Sequence, residues 1–355
     1  MVRALALLFE PVPSRRATLL LGHECDNVCI FCAQAGIDEA APRDLRAELI
    51  ELRRDHDEIT FVGGEPALAP QLLELVGLAR ELGFASVGMQ SNARRLAADE
   101  ALFDQLVAAG LSDLHLSIHG ASPGAHDYHT GRDGSFAACV EVMTRAQRVG
   151  ITIVATTIVT RSNFRELPKL PPLLKRRGVA GWLIEPVRPF GRAADHFART
   201  VPRFGMSLPW ALHGLEQARR NDLSAWIRGA PLCALGPFAA SALPEPPRSA
   251  VVPEPCERCP ERSRCGGVDP VYVEVFGHKE LTPRAARPAA AFDSGRARLM
   301  RMFVGVGPLL AREPQLYSPP ADATDEVEPA PAGKNRRLPV LPNSPEQQAQ
   351  SDDES

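Results

Sequence analysis

Three cysteines fall within one short run, Gly22-His23-Glu24-Cys25-Asp26-Asn27-Val28-Cys29-Ile30-Phe31-Cys32. The spacing is C-x3-C-x2-C, with the aromatic Phe31 just before the last thiol. Three thiolates suit a cubane iron–sulfur cluster that keeps one iron open, because most such clusters take four cysteines. The open position then belongs to a ligand from outside the protein. The competing chemistry is a zinc ion borrowing a fourth ligand such as His23 or Cys139. Zinc sites draw four ligands from paired sets, which a single loop does not supply.

A second set, Cys256, Cys259 and Cys265, has the spacing C-x2-C-x5-C and lies among many prolines, with Cys233 upstream. Four thiolates in a stretch of little helical periodicity again imply a metal, either a closed structural zinc or a further iron–sulfur cluster. Gly266-Gly267 fits a tight wrap around such a group. The run 271–277 reads as a short strand closing that region. Cys139 sits in a predicted helix beside Phe136 and Val140 and reads as an inert buried thiol.

These groups need elements to hold them. Strand signals fall at 18–21, 59–62, 86–90, 113–118, 152–159 and 182–185, with helix signals between them at 43–55, 70–82, 97–109, 135–149 and 164–177. Such alternation predicts parallel βα units. Six units are fewer than the eight of a closed barrel, so the expected fold is α/β, a partial (β/α)6 TIM-like barrel. A small C-terminal Cys-rich subdomain and a disordered tail should follow it. The unusual residues all follow strand ends, the rim that carries chemistry in such folds. They are the Cys loop, Gly63-Gly64-Glu65-Pro66, Gln90-Ser91-Asn92, Ser117-Ile118-His119-Gly120, the loop from His126 to Gly131, and Glu185-Pro186. Two glycines let the backbone approach a ligand, Pro66 opens a helix, and the Glu65 carboxylate can accept from an ammonium group. The expected organisation is a core at 15–190, a connecting segment at 191–232 with helical character at 210–219, the Cys-rich region at 233–285, a helix within 286–312, and a Pro-, Asp-, Glu- and Ser-rich tail at 313–355.

The chain has 355 residues, is 45% hydrophobic and carries a formal charge of -3, so it can bury a large core. Nothing marks it as a nucleic-acid or membrane-surface binder. The apolar run 4–9 is too short for a signal peptide and lacks a cleavage site. No stretch nears the roughly 20 apolar residues of a membrane span. Clustered metal-type spacing rather than disulfide spacing fits a reducing compartment, so a cytoplasmic location is expected.

With Cys25, Cys29, Cys32 and Phe31 at the exit of strand one and GGEP at the exit of strand two, the sequence resembles the radical S-adenosylmethionine (SAM) superfamily over about residues 15–190. The resemblance implies a [4Fe-4S] cluster on the three cysteines. It also implies SAM chelated to the open iron, its amino group held by Gly63, Gly64 and Glu65, its adenine near Phe31 and its ribose near Ser117. The reaction implied is reductive cleavage of SAM to a 5′-deoxyadenosyl radical that abstracts a substrate hydrogen, with electrons from a flavodoxin or ferredoxin. Relatives with a His-Asp pair like His126-Asp127 carry an Arg three residues after the Asp, where this chain has Thr130. Arg132 lies nearby. The second set resembles a reduced SPASM or twitch extension, with Cys256, Cys259, Cys265 and Cys233 as ligands of one auxiliary cluster. Asp269 stands where the full motif has a cysteine, so one cluster is expected rather than two.

That extension implies a peptide or protein precursor as substrate. The short sequence before residue 18 shows no leader-peptide-binding domain, which tempers that expectation. The alternatives are an oxidoreductase or mutase acting on a small molecule, and a non-catalytic iron–sulfur or zinc protein.

Overall fold

The computed structural model describes residues 16–35, 37, 43–243, 252–283 and 294–303. Seven strands run in chain order: β1 (Arg16–Leu20), β2 (Glu58–Val62), β3 (Ser86–Ser91), β4 (Asp113–Ser117), β5 (Thr152–Val159), β6 (Val179–Pro186) and β7 (Ser224–Ile227). Each pairs in parallel with the next, giving one sheet ordered β1 to β7. The sheet is an open partial barrel with one strand more than expected. The extra strand is only Ser-Ala-Trp-Ile, bounded by Asp222 and Gly229, and it follows a helix of 17 residues, Phe204–Arg220.

Strand alternation builds two layers of packing. Ile153 and Ala155 of β5, Trp182 and Ile184 of β6, and Ala225 and Ile227 of β7 join the main core beneath the helices. Their neighbours Val154, Leu183 and Trp226 point the other way, into a second cluster with Met302 and Phe303. A curved sheet with helices outside puts the period-two alternation of each strand on an outer and an inner face.

The inner face is polar towards the strand starts. Arg16, buried on β1, donates to Glu58 Oε2 (3.0 Å), Thr60 Oγ1 (2.8 Å), Ser86 Oγ (2.5 Å) and Asp113 Oδ1 (2.9 Å), reaching β2, β3 and β4 from one side chain. The helix Ser294–Met302 completes this floor, since Arg301 pairs with Glu58 at 2.8 Å. At the far side of the sheet, Arg228 donates to the Phe303 carbonyl (2.8 Å). Burial opposes ionisation of Glu58, but the hydrogen bonds from Arg301 and Arg16 outweigh it and hold the carboxyl below its usual range.

Several local expectations are corrected. Residues 97–109 hold the end of one helix, Arg94–Ala98, and a second, Glu100–Ala109, whose first N–H groups are capped by Asp99. Residues 164–177 begin as a 3-10 turn, Phe164–Lys169, because Pro168 and Pro171 withhold the N–H groups an α-helix needs. The run 271–277 is the helix Pro270–Phe276, not a strand: Asp269 caps Val271 N (3.1 Å) and Pro270 pre-sets the first turn. The expected loop from His126 is the end of the helix Pro123–Thr130. Of the helix expected within 286–312, Ser294–Met302 is seen, while the predicted tail at 313–355 lies outside the described residues. Among the described residues no helix is long and apolar enough to cross a membrane.

Arg16→Met would leave Asp113 buried without its cation. The expected loss is about 3–5 kcal/mol of unfolding free energy by urea titration, and a loss below about 1 kcal/mol would contradict the role given to this network.

Candidate functional site

The strand exits gather around the loop that carries Cys25, Cys29 and Cys32. Three segments clamp it by backbone hydrogen bonds. Gly64 N donates to Gly22 O (3.0 Å) and Glu65 N to Glu24 O (2.7 Å). Val28 N and Ile30 N donate to the Thr130 and His129 carbonyls (2.9 and 3.1 Å), and Arg192 N donates to Cys32 O (3.1 Å). Gln34 Nε2 adds a bond to Gly63 O (3.1 Å). Thr130 therefore serves through its carbonyl, and Arg132 is committed to the loop through Asp26 O (2.9 Å).

The glycines of the second exit have a use the sequence did not reveal. A Cβ on Gly63 would lie 2.6 Å from Gly22 O, and one on Gly64 would collide with the His23 and Glu24 carbonyls. They are small so that one loop backbone can lie on another. Glu65 is buried and accepts from Ala67 N (3.1 Å), Ser91 Oγ (2.9 Å) and Asn92 N (2.6 Å). A carboxylate has about four acceptor positions, so one remains for an incoming donor. Burial pushes the Glu65 carboxyl up to about 7, against the three hydrogen bonds that favour its ionised form.

Asn92 links the third exit to the first, donating to Asp26 Oδ1 (2.7 Å) and lying 3.7 Å from Cys25 Sγ, while Arg94 pairs with Asp26 at 3.2 Å. The turn between them holds Ala93 at φ 71, a left-handed conformation unusual for a residue with a side chain. Ser117 ends β4, half-buried, and its carbonyl accepts from the Cys139 thiol (3.4 Å). Cys139 is fully buried, as expected of an inert thiol. Phe31 packs edge-on against His119 at 4.7 Å, and His119 stacks on His126 at 5.6 Å. Both histidines are buried, and burial pushes His126 down to about 3. Glu185, at the exit of β6, is held by Arg228 through two 3.0 Å bonds.

The thiol chemistry fits an iron–sulfur cluster. All eight cysteines are free. Partial burial pushes Cys25 up to about 11, with the Glu65 and Asp26 carboxylates adding to it, and burial with the neighbouring Cys32 and Cys25 pushes Cys29 up to about 12. A bound cationic group would draw out the protons of such thiols. In the same loop the Asn27 side-chain carbonyl is buried with no donor among the described residues. Among those residues no three His, Cys, Asp or Glu side chains converge tightly enough for a single ion, so the fit rests on the donor chemistry.

The second set is also gathered by the fold. Cys233 lies on the 3-10 turn Leu232–Ala234, Cys256 on the short helix Glu254–Glu257, and Cys265 just after Arg262–Arg264. Burial raises the Cys233 thiol, and Cys265 and Cys259 raise it further. Gly267 N donates to Cys265 Sγ at 3.4 Å. Asp26, Arg94 and Arg192 were not singled out from the sequence. Arg192 follows a strand exit, which was its one visible signal.

Residues 19–169 match a family model described as the radical SAM superfamily. Over 219 residues the chain is 27% identical to the PqqA peptide cyclase of Xanthomonas campestris pv. campestris, covering 59% of this chain and 57% of that protein. Over 183 residues it is 27% identical to the AdoMet-dependent heme synthase of Oleidesulfovibrio alaskensis, covering 50% of this chain and 46% of that one. The chain thus spans about half the length of these curated relatives. Streptococcus suis SuiB bound to S-adenosylmethionine superposes with a TM-score of 0.53 at 12% identity, over 62% of this chain and 52% of that one, a likeness of fold.

Gly64→Ala should cost about 1–3 kcal/mol through overpacking. Gly77→Ala, at a helical site with nothing within 4 Å of the new Cβ, should be neutral or stabilising. Equal losses by thermal melting would refute the loop-on-loop constraint. His126 stays neutral in the fold, so stability is full above its ordinary value of 6.5 and falls as pH drops from there towards 3, where the unfolded chain takes up the proton first. His126→Gln should flatten that fall between pH 6.5 and 5 in urea titrations, and an unchanged slope would contradict it.

Proposed function

Residues 19–169 are a radical SAM superfamily domain, and from that premise we propose that the chain is an enzyme that reductively cleaves SAM to modify a peptide or protein precursor. When bound, the [4Fe-4S] cluster and SAM supply, with one electron, methionine and a 5′-deoxyadenosyl radical that takes a substrate hydrogen. Cys25, Cys29 and Cys32 hold the cluster. Gly63 and Gly64 seat the second loop against the first, which brings the spare acceptor of Glu65 to the SAM amino group. Ser117 is assigned to the ribose and Phe31, braced by His119, to the adenine. Cys233, Cys256, Cys259 and Cys265 hold a second iron–sulfur cluster, with zinc the alternative, and a flavodoxin or ferredoxin supplies electrons.

One observation carries this reading: the three-thiol loop and the buried Glu65 belong to a single hydrogen-bonded unit, through Glu65 N to Glu24 O at 2.7 Å. The 27% identity to a PqqA peptide cyclase supports the peptide substrate. The 27% identity to an AdoMet-dependent heme synthase favours, as a second reading, a substrate that is not a peptide.

Anaerobic reconstitution should load about eight Fe per chain for two four-iron clusters. Dithionite and SAM should then yield 5′-deoxyadenosine, and Cys29→Ala should abolish it. A fully loaded protein that leaves SAM intact would refute the enzyme. Roughly four Fe together with zinc would refute the second cluster alone.

A further inference from the structure

Arg192 stands apart from the other arginines around the Cys loop. Arg94 is paired with Asp26 at 3.2 Å, and Arg132 donates to the Asp26 carbonyl. Arg192 instead grips the ligand residues themselves. Its backbone N donates to Cys32 O (3.1 Å), and its guanidinium Nη1 donates to Cys29 O (3.2 Å), across 163 residues of sequence. The preceding Gly191, at φ 51, comes so close that a Cβ there would strike Cys32 O. The chain has accepted a glycine-only turn to seat this arginine on the loop.

No carboxylate pairs with Arg192 among the described residues, although the residue is half-buried. Cys25 has acidic neighbours, Glu65 and Asp26, while Arg192 is the cation that acts on Cys29. A half-buried cation without a counter-ion is costly unless an anion joins it. A cluster on three thiolates would be that anion.

We propose that Arg192 sets the reduction potential of the cluster on Cys25, Cys29 and Cys32, as a fixed positive charge on the ligand loop. This inference rests on the proposed function. Dithionite delivers one electron and no proton, so the cluster gains one negative charge. A nearby fixed cation favours that more negative state and raises the potential.

The test is an electron paramagnetic resonance redox titration of the reconstituted full chain. The Cys25→Ala/Cys29→Ala/Cys32→Ala variant is subtracted to isolate this cluster, and iron content is measured in parallel. Arg192→Gln should lower the reduced-to-oxidised ratio at a fixed potential about tenfold, a shift of about 59 mV for one electron. Arg192→Lys, which keeps the charge, should stay near the wild-type midpoint. A loaded Arg192→Gln at the wild-type midpoint would overturn the proposal, as would a Lys variant shifted as far as Gln. Where Gln holds no iron, a Lys variant that loads at the wild-type midpoint supports the charge, and a Lys variant that also fails to load overturns it. If the wild-type loop itself takes up no iron, the proposed function falls and this inference with it.

Discussion

The site depends on one contact between two loop backbones. Gly64 N and Glu65 N donate to carbonyls of the Cys loop, and the approach is open only because Gly63 and Gly64 have no side chains. That contact places Glu65 under the loop. Glu65 then accepts from Ser91 and Asn92, and so draws in the exit of β3. Asn92 returns to Asp26, beside Cys25. Three strand exits are thereby closed into a ring before any ligand is considered. The ring has a rigid base, because Arg16 ties β1 to β2, β3 and β4 at the opposite end of the sheet.

Electrostatics divides the molecule along the same axis. At the floor, charges are paired and several are buried, as with Arg16, Glu58, Asp113 and Arg301. Such pairs hold geometry more than they add stability. At the rim the balance is left incomplete. Glu65 is raised, Cys25 and Cys29 are raised, and Arg192 has no carboxylate partner among the described residues. Perturbed groups of this kind concentrate where a protein binds or transforms a ligand.

The chemistry-bearing residues were legible because they are local. C-x3-C-x2-C and GGEP are contiguous strings, and strands such as 152–159 announce themselves by β-branched residues. What failed was either short or long-range. Four residues, Ser224 to Ile227, were too few to show a period. Residues 271–277 look like a strand, but a single Asp-Pro cap just before them outweighs the β-branched run. GGEP displays two small residues, but not that they also make room for carbonyls of the Cys loop. Arg192 lies 163 residues from Cys29, and no pattern on one strand of text joins them. Local propensity is visible in a sequence, but the pairing of distant backbones is not.

In the proposed function the Cys loop holds a cluster with one iron open to SAM. The most direct measurement is the electron paramagnetic resonance spectrum of the dithionite-reduced, reconstituted protein with and without SAM. A cluster with an open iron should change its g-values when SAM is added. That change should vanish in the Cys25→Ala/Cys29→Ala/Cys32→Ala variant. A reduced signal from this loop that is identical with and without SAM would contradict the account.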